Sequence, residues 1–200
     1  KSLGVTVYLG KKRGNASTSD FSVAAIQQTV QAALDIARFT AEDEFAGLPD
    51  EADIAKKHPD LDLFHPWEIQ AEQATDLARE CEAAALSVDK RITNSEGASV
   101  SAQQSHFFSA HTHGFRGGYA SSRHSLSVAP IAGKGAGMQR DYWYSSESNA
   151  CDLASAEAVG RYAAERALSR LKSRKIPTRE CPVLFESPLA AGMLGGYVQA

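Results

Sequence analysis

Residues 106–128 read "HFFSAHTHGFRGGYASSRHSLSV" and hold four of the six histidines of the chain, His106, His111, His113 and His124. Whether these side chains share a site depends on where this stretch turns back on itself. If Gly117-Gly118 forms a two-residue turn, His111 faces His124 across the hairpin at about 5 Å, close enough to share a metal, with His113 on the same face. If the turn is "HTHG" (111–114), with Gly114 at positive φ, His124 lies about ten residues up the return strand, roughly 30 Å away at about 3.3 Å per residue. An internal likeness favours the second register. "TNSEGASVS" (93–101) has the same form as "AHTHGFRGG" (110–118), polar residues and a glycine before a strand resumes.

Around this stretch the pattern is that of strands and turns. From Lys90 to Glu147 apolar and small polar residues alternate, and "NSEG" (94–97), "AQQS" (102–105) and "GKGAG" (133–137) are the candidate breaks of an antiparallel meander. Upstream, "LGVTVYLGKKRGNASTSD" (3–20) alternates Val5, Val7 and Leu9 against Thr6 and Tyr8 and turns through Lys11–Gly14, which predicts a hairpin. Asp20 or Ser22 caps a following helix whose inward stripe is Val23, Ile26, Val30, Ala33, Leu34 and Ala37. Residues 40–65 are acidic and proline-containing and read as a long surface connection with one short helical turn near Glu51–Lys57.

A second helix is expected from about Pro66, with Ala74, Leu77, Ala78, Cys81, Ala84, Ala85 and Val88 inward; a third from Ala154 to Lys172 buries Val159, Ala163, Ala167 and Leu171. The fold class is therefore α+β, an antiparallel β-meander with packed amphipathic helices. Residues 1–172 form the first domain, "SRKIPTRE" (173–180) is a linker, and a strand "CPVLFE" (181–186) opens a second, β-rich domain over 181–200. The beginning at Lys1 and the end inside an apolar helical stretch are expected to be cuts, which would make the chain an internal piece of a longer protein.

Composition narrows the function classes. The net charge is −3, with basic residues gathered only at Lys11–Arg13 and Arg170–Lys175, too few to track a run of phosphates, so nucleic acid is not the expected partner. No apolar run approaches the roughly 18 residues that span a bilayer. Cys81, Cys151 and Cys181 are odd in number and widely spaced, which suggests neither a disulfide framework nor a zinc ribbon and fits a reducing compartment. Zinc needs three or four ligands held by a second shell, and the nearest acids to the histidines, Glu96 and Asp141, lie across turns. No catalytic residue is assigned, and His111, His113 and His124 stand only as weak metal candidates beside the plainer reading as strand and turn residues. "RDYWYS" (140–145) alternates Asp141, Trp143 and Ser145 with Tyr142 and Tyr144; the aromatic trio Tyr142, Trp143 and Tyr144 is the candidate edge for a partner or peptide.

The blocks "GVTVYLGKKRGNASTSDFS", "DLDLFHPWE", "DKRITNSEGASVS", "HTHGFRGGYASSRHSLSVAPIAG", "MQRDYWY" and "LSRLKSRKIPTRECPVLF" together resemble the PmbA (TldE) branch of the TldD/PmbA family of DNA-gyrase modulators and peptidases. The likeness runs along nearly the whole chain in family order. It implies a cytoplasmic bacterial subunit that pairs with a TldD-type subunit, as a heterodimer, into a metal-dependent peptidase acting on small or unfolded polypeptides. It further implies that zinc sits in the TldD-type subunit, on an H-E-x-x-x-H helix at the start of the C-terminal domain. Here the matching helix, "SPLAAGMLGGYVQA" (187–200), offers Met193, Leu194, Gly195, Gly196, Tyr197 and Val198 where His, Glu and His would fall. The expected role is therefore that of the partner that shapes the peptide site, with no cofactor of its own, no nucleic acid and no membrane. The alternatives are a metallopeptidase in its own right, through the histidines above or residues beyond Ala200, and a protein-binding modulator of gyrase. A long meander also leaves a strand edge where partner or peptide backbone can add.

Overall fold

The computed structural model describes residues 1–199. It opens with the expected hairpin, β1 (Leu3–Leu9) and β2 (Lys12–Thr18), in a register from Leu3 opposite Thr18 to Leu9 opposite Lys12, with Gly10 at φ +60° in the turn. Helix α1 (Val23–Phe39) follows, its first turn capped by the Ser22 hydroxyl accepting from the Ala25 N–H. The buried stripe of α1 is Thr29, Ala33 and Ala37, whereas Val23 and Val30 are exposed, contrary to the expected stripe. Close approach explains the rotation: a Cβ at Gly14 of β2 would meet the Ala33 carbonyl oxygen at 2.0 Å, so only small side chains fit between helix and ribbon. The main contacts of β1, β2 and α1 are with one another.

The rest of the fold is built on two long strands, β3 (Ile92–Ala110) and β4 (Arg116–Ala132), paired antiparallel. Ala110 faces Arg116 and the turn closes through His111 N–H to Phe115 O and Gly114 N–H to His111 O, with Gly114 at φ +91°. "AQQS" is no break, since Ala102–Ser105 pair continuously with His124–Ser121. Nor is "NSEG" a turn. The register slips by one residue between Ile92 and Asn94 and again between Ser95 and Ala98, two bulges that bend β3 without ending it, and Gly97 takes φ +111° in the second.

On its other edge β4 pairs antiparallel with β5 (Gln139–Arg140) and β6 (Trp143–Glu147) in one common register. Carried through the gap between these two short strands, that register sets Asp141 opposite Pro130. Proline has no N–H to give, so the ladder breaks there.

Even-numbered side chains of β4, among them Ser122, His124, Leu126, Val128 and Ala132, face inward. They are covered by α2 (Ala71–Ser87) and α3 (Ala156–Ser169), which supply Cys81, Ala85, Ala156, Val159, Ala163, Ala164 and Ala167 to the core. α2 begins at Ala71 rather than at Pro66. The residues before it are held extended against β4, and Gln70 and Gln73 close the N-terminus as a reciprocal capping pair. Burial, with Glu80 and Glu82 adding to it, pushes the Cys81 thiol up to about 11, the behaviour of an inert core cysteine.

Beyond α3, "CPVLFE" (181–186) is not a strand. Val183 and Leu184 are exposed, and no neighbouring strand among the described residues offers them a ladder. Helix α4 (Ser187–Gln199) buries none of its described residues. The architecture is α+β with antiparallel sheets throughout, and no helix is long and apolar enough to cross a membrane among the described residues.

Candidate functional site

The connection between the short 3-10 turn Glu51–Asp53 and α2 is a strap lying along the outer edge of β4. The Ser122 N–H donates to Leu63 O at 2.8 Å just where β6 stops, the His65 N–H donates to the Ser122 hydroxyl at 2.8 Å, and that hydroxyl donates to Ser148 O at 2.7 Å. Farther along, His124 Nε2 donates to His65 O at 2.8 Å while Trp67 stands edge-on to the His124 ring at 5.5 Å. Phe64 reaches across to His106, ring to ring at 5.1 Å. The composition of 40–65 did not reveal this docking, because its bonds are mostly to backbone atoms.

His124 is thus fully buried beneath the strap, whereas His111 and His113 lie at the hairpin tip, stacked respectively on Phe115 and bonded to Pro49 O at 3.0 Å. The three metal candidates do not converge. Among the described residues no group of three or more His, Cys, Asp or Glu side chains is placed to hold a metal ion. Ser122 is the joint of the strap. Ser122→Ala is expected to cost about 1–3 kcal/mol, because it strips a buried acceptor and donor at once. Hydrogen exchange should show the His65 amide opening while amides of α1 stay unchanged.

Of the aromatic trio, Tyr142 and Tyr144 are exposed and stacked with ring planes 17° apart, and Trp143 turns inward. Trp143 meets Tyr162 of α3 edge-on at 4.6 Å, and the Arg166 guanidinium lies over both rings, 5.1 Å from Trp143 and 5.9 Å from Tyr162. The trio therefore divides into a two-tyrosine outer patch and one core anchor. Arg166 also pairs with Glu186, just ahead of α4, and with Asp141 at 3.4 Å, while Arg170 donates to Asp141 at 2.9 Å. Burial pushes the Asp141 carboxyl up, but the Tyr142 N–H and the two arginines outweigh it and hold the group below its ordinary value. Arg166 is raised by its hydrogen bond to Glu186. This hub joins sheet, α3 and the approach to α4, and its basic members were visible in the sequence only as charges near a helix end.

The positions of α4 where the resemblance leads one to expect a zinc motif hold Met193, Leu194, Gly195, Gly196, Tyr197 and Val198. None of them offers an imidazole or a carboxylate. The donor set of this helix does not fit zinc.

A profile of the PmbA/TldA metallopeptidase central domain matches residues 64–171, from the strap through the end of α3. The chain belongs to the PmbA/TldD family. It is 46% identical to Metalloprotease PmbA of Escherichia coli O157:H7 over 198 residues, covering 99% of this chain, and 41% identical to the PmbA homolog of Haemophilus influenzae over the same length. It spans 44% of the length of each of these relatives. Among solved structures it resembles a candidate modulator of DNA gyrase from Bacteroides thetaiotaomicron, with TM-score 0.79 and 26% identity over 88% of this chain and 40% of that one. TldE from Thermococcus kodakarensis shares the fold alone, with TM-score 0.60 and 14% identity over 84% of this chain and 42% of that one. The matched residues take in the long β3–β4 hairpin, its two covering helices and the last part of the strap, from Phe64 onward.

Proposed function

We propose that this chain is part of the non-catalytic subunit of a two-subunit, metal-dependent peptidase of the cytoplasm, and that it shapes the peptide site of a TldD-type partner. The observation that carries the reading is the donor set of α4. A hydrolytic zinc needs imidazole ligands and a carboxylate to take the proton of its bound water, and the helix offers sulfur, glycine, phenol and aliphatic side chains at those positions. Homology to Metalloprotease PmbA supports the peptidase setting, and the exposed Tyr142 and Tyr144 patch is a contact surface for partner or peptide.

The test uses the full-length protein containing this chain, purified alone and together with a TldD-type subunit. Metal content is measured by mass spectrometry and cleavage with unfolded casein. Alone, the protein should carry no stoichiometric zinc and leave casein intact; the pair should hold about one zinc and cleave it. Zinc with activity in the isolated protein would establish instead a metallopeptidase in its own right.

A further inference from the structure

The strap and β4 run side by side and in the same direction. His58 lies against Gly117, where a Cβ would meet its ring at 2.9 Å, and Leu63 bonds Ser122. Between these two contacts they part. Asp62 stands at φ +51°, its N–H donating to Asp60 Oδ1 at 2.9 Å, and this kink carries the strap away from the strand. The opening is a cleft of about 780 Å³, within the range of ligand sites, and Phe64, Phe107, Phe115 and Tyr119 supply its aromatic wall.

The floor of the cleft is backbone. His111 N–H bonds Phe115 O within the hairpin, while Ser122 N–H points away from β3 to Leu63 O. With both ends of the arm fixed, alternation directs odd-numbered β4 residues toward β3 and even-numbered ones outward. The N–H and C=O groups of Gly118 and Ala120 therefore face the cleft. They continue the edge that β6 fills over His124–Val128 and Leu63 closes at Ser122. The charged residues of the lining are Asp60 and Asp62, which repel phosphates and carboxylates and favour a chain with basic flanks.

We propose that this cleft binds an extended, apolar polypeptide segment of about four residues, roughly 13 Å long and matching the four β4 residues between the two strap contacts, paired through its backbone with Gly118 and Ala120. Its apolar side chain lies against Phe107, Phe115 and Tyr119. The inference deepens the reading of the chain as a peptide-handling subunit by naming where it holds peptide. It is measured without the partner, so failure of subunit pairing or of cleavage leaves the binding result standing, and the converse.

The probe is a dye-labelled acetyl-Lys-Ala-Val-Phe-Val-Lys-amide, with an analogue N-methylated at alternate residues, titrated by fluorescence anisotropy into the full-length protein. Saturable binding is expected, with exchange of the Gly118 and Ala120 amides slowed at saturation. N-methylation should weaken binding about tenfold, the effect of losing one or two backbone hydrogen bonds. Ala120→Pro should do the same. Ala102→Pro, on the opposite edge of the hairpin, should leave binding unchanged. Equal binding of the N-methylated peptide would overturn the proposal, as would loss on Ala102→Pro with retention on Ala120→Pro. Slow exchange of the Gly118 and Ala120 amides before peptide is added would also overturn it, by showing that the strap itself occupies the edge.

Discussion

Replacing Gly160 with valine is expected to lower the unfolding free energy of the unit formed by β3, β4, α2 and α3 by at least about 3 kcal/mol, a large share of what a domain holds. At this position α3 crosses α2 in backbone contact. A Cβ on Gly160 would meet the Cys81 carbonyl oxygen at 2.4 Å, the Ala85 nitrogen at 2.9 Å and the Ala84 Cβ at 2.9 Å. Two of these three atoms are main chain and cannot rotate aside, so α2 must move off, opening the layer in which Cys81, Ala85, Val159 and Ala163 are buried. Gly160→Ala is informative because helix propensity alone would favour it by about 1 kcal/mol. It should still destabilise. Gly195→Ala in α4, where an added Cβ meets nothing within 4 Å, should by contrast be neutral or stabilising. Urea denaturation of the three variants separates the effects, and equal stability of Gly160→Val and the wild type would refute the crossing.

What the sequence disclosed about this fold follows the range of the forces involved. Local rules were legible: Ser22 as a cap, Gly114 as the turn residue, and the three- and four-residue spacing that puts Val159, Ala163 and Ala167 on one side of α3. Whether a glycine turns or bulges was not. "NSEG" and "HTHG" carry the same local chemistry, and only the partner strand decides that Gly97 sits in a bulge and Gly114 in a loop. Likewise α2 starts five residues after Pro66 because residues 63–65 are engaged by Ser122 and His124, far away in sequence. "CPVLFE" has strand-like side chains, but a strand also requires a neighbour. For the candidate site, alternation put Trp143 and the two tyrosines on opposite faces but did not say which face is inner, and all three were expected at the contact edge, whereas Trp143 packs against Tyr162. Spacing could not show that Asp141 would meet Arg166 and Arg170, because that link joins residues far apart in sequence.

That link supports the second large effect. Arg166→Met keeps most of the apolar length of the side chain and removes the cation that Asp141, Glu186 and two aromatic rings share. Asp141 is only 7% exposed and retains Arg170, so the expected loss at neutral pH is about 2–3 kcal/mol, below the full cost of stranding a buried charge. The pH dependence gives the result its signature. Because the folded carboxyl of Asp141 titrates below its ordinary value of 3.8, its contribution is complete above that value and is lost as pH falls through the lower folded value. In Arg166→Met one of the two cations is gone while burial still pushes the carboxyl up, so this acid loss of stability should shrink or move to higher pH. Arg170→Met, at a half-exposed arginine, should cost less and keep the Glu186 bond. Hydrogen exchange adds a spatial readout: the amides of Leu189 and Ala190, which bond Glu186 O, should open in Arg166→Met and not in Arg170→Met. If the two variants share one stability, one acid profile and one exchange pattern, Arg166 does not tie the approach to α4 to the sheet.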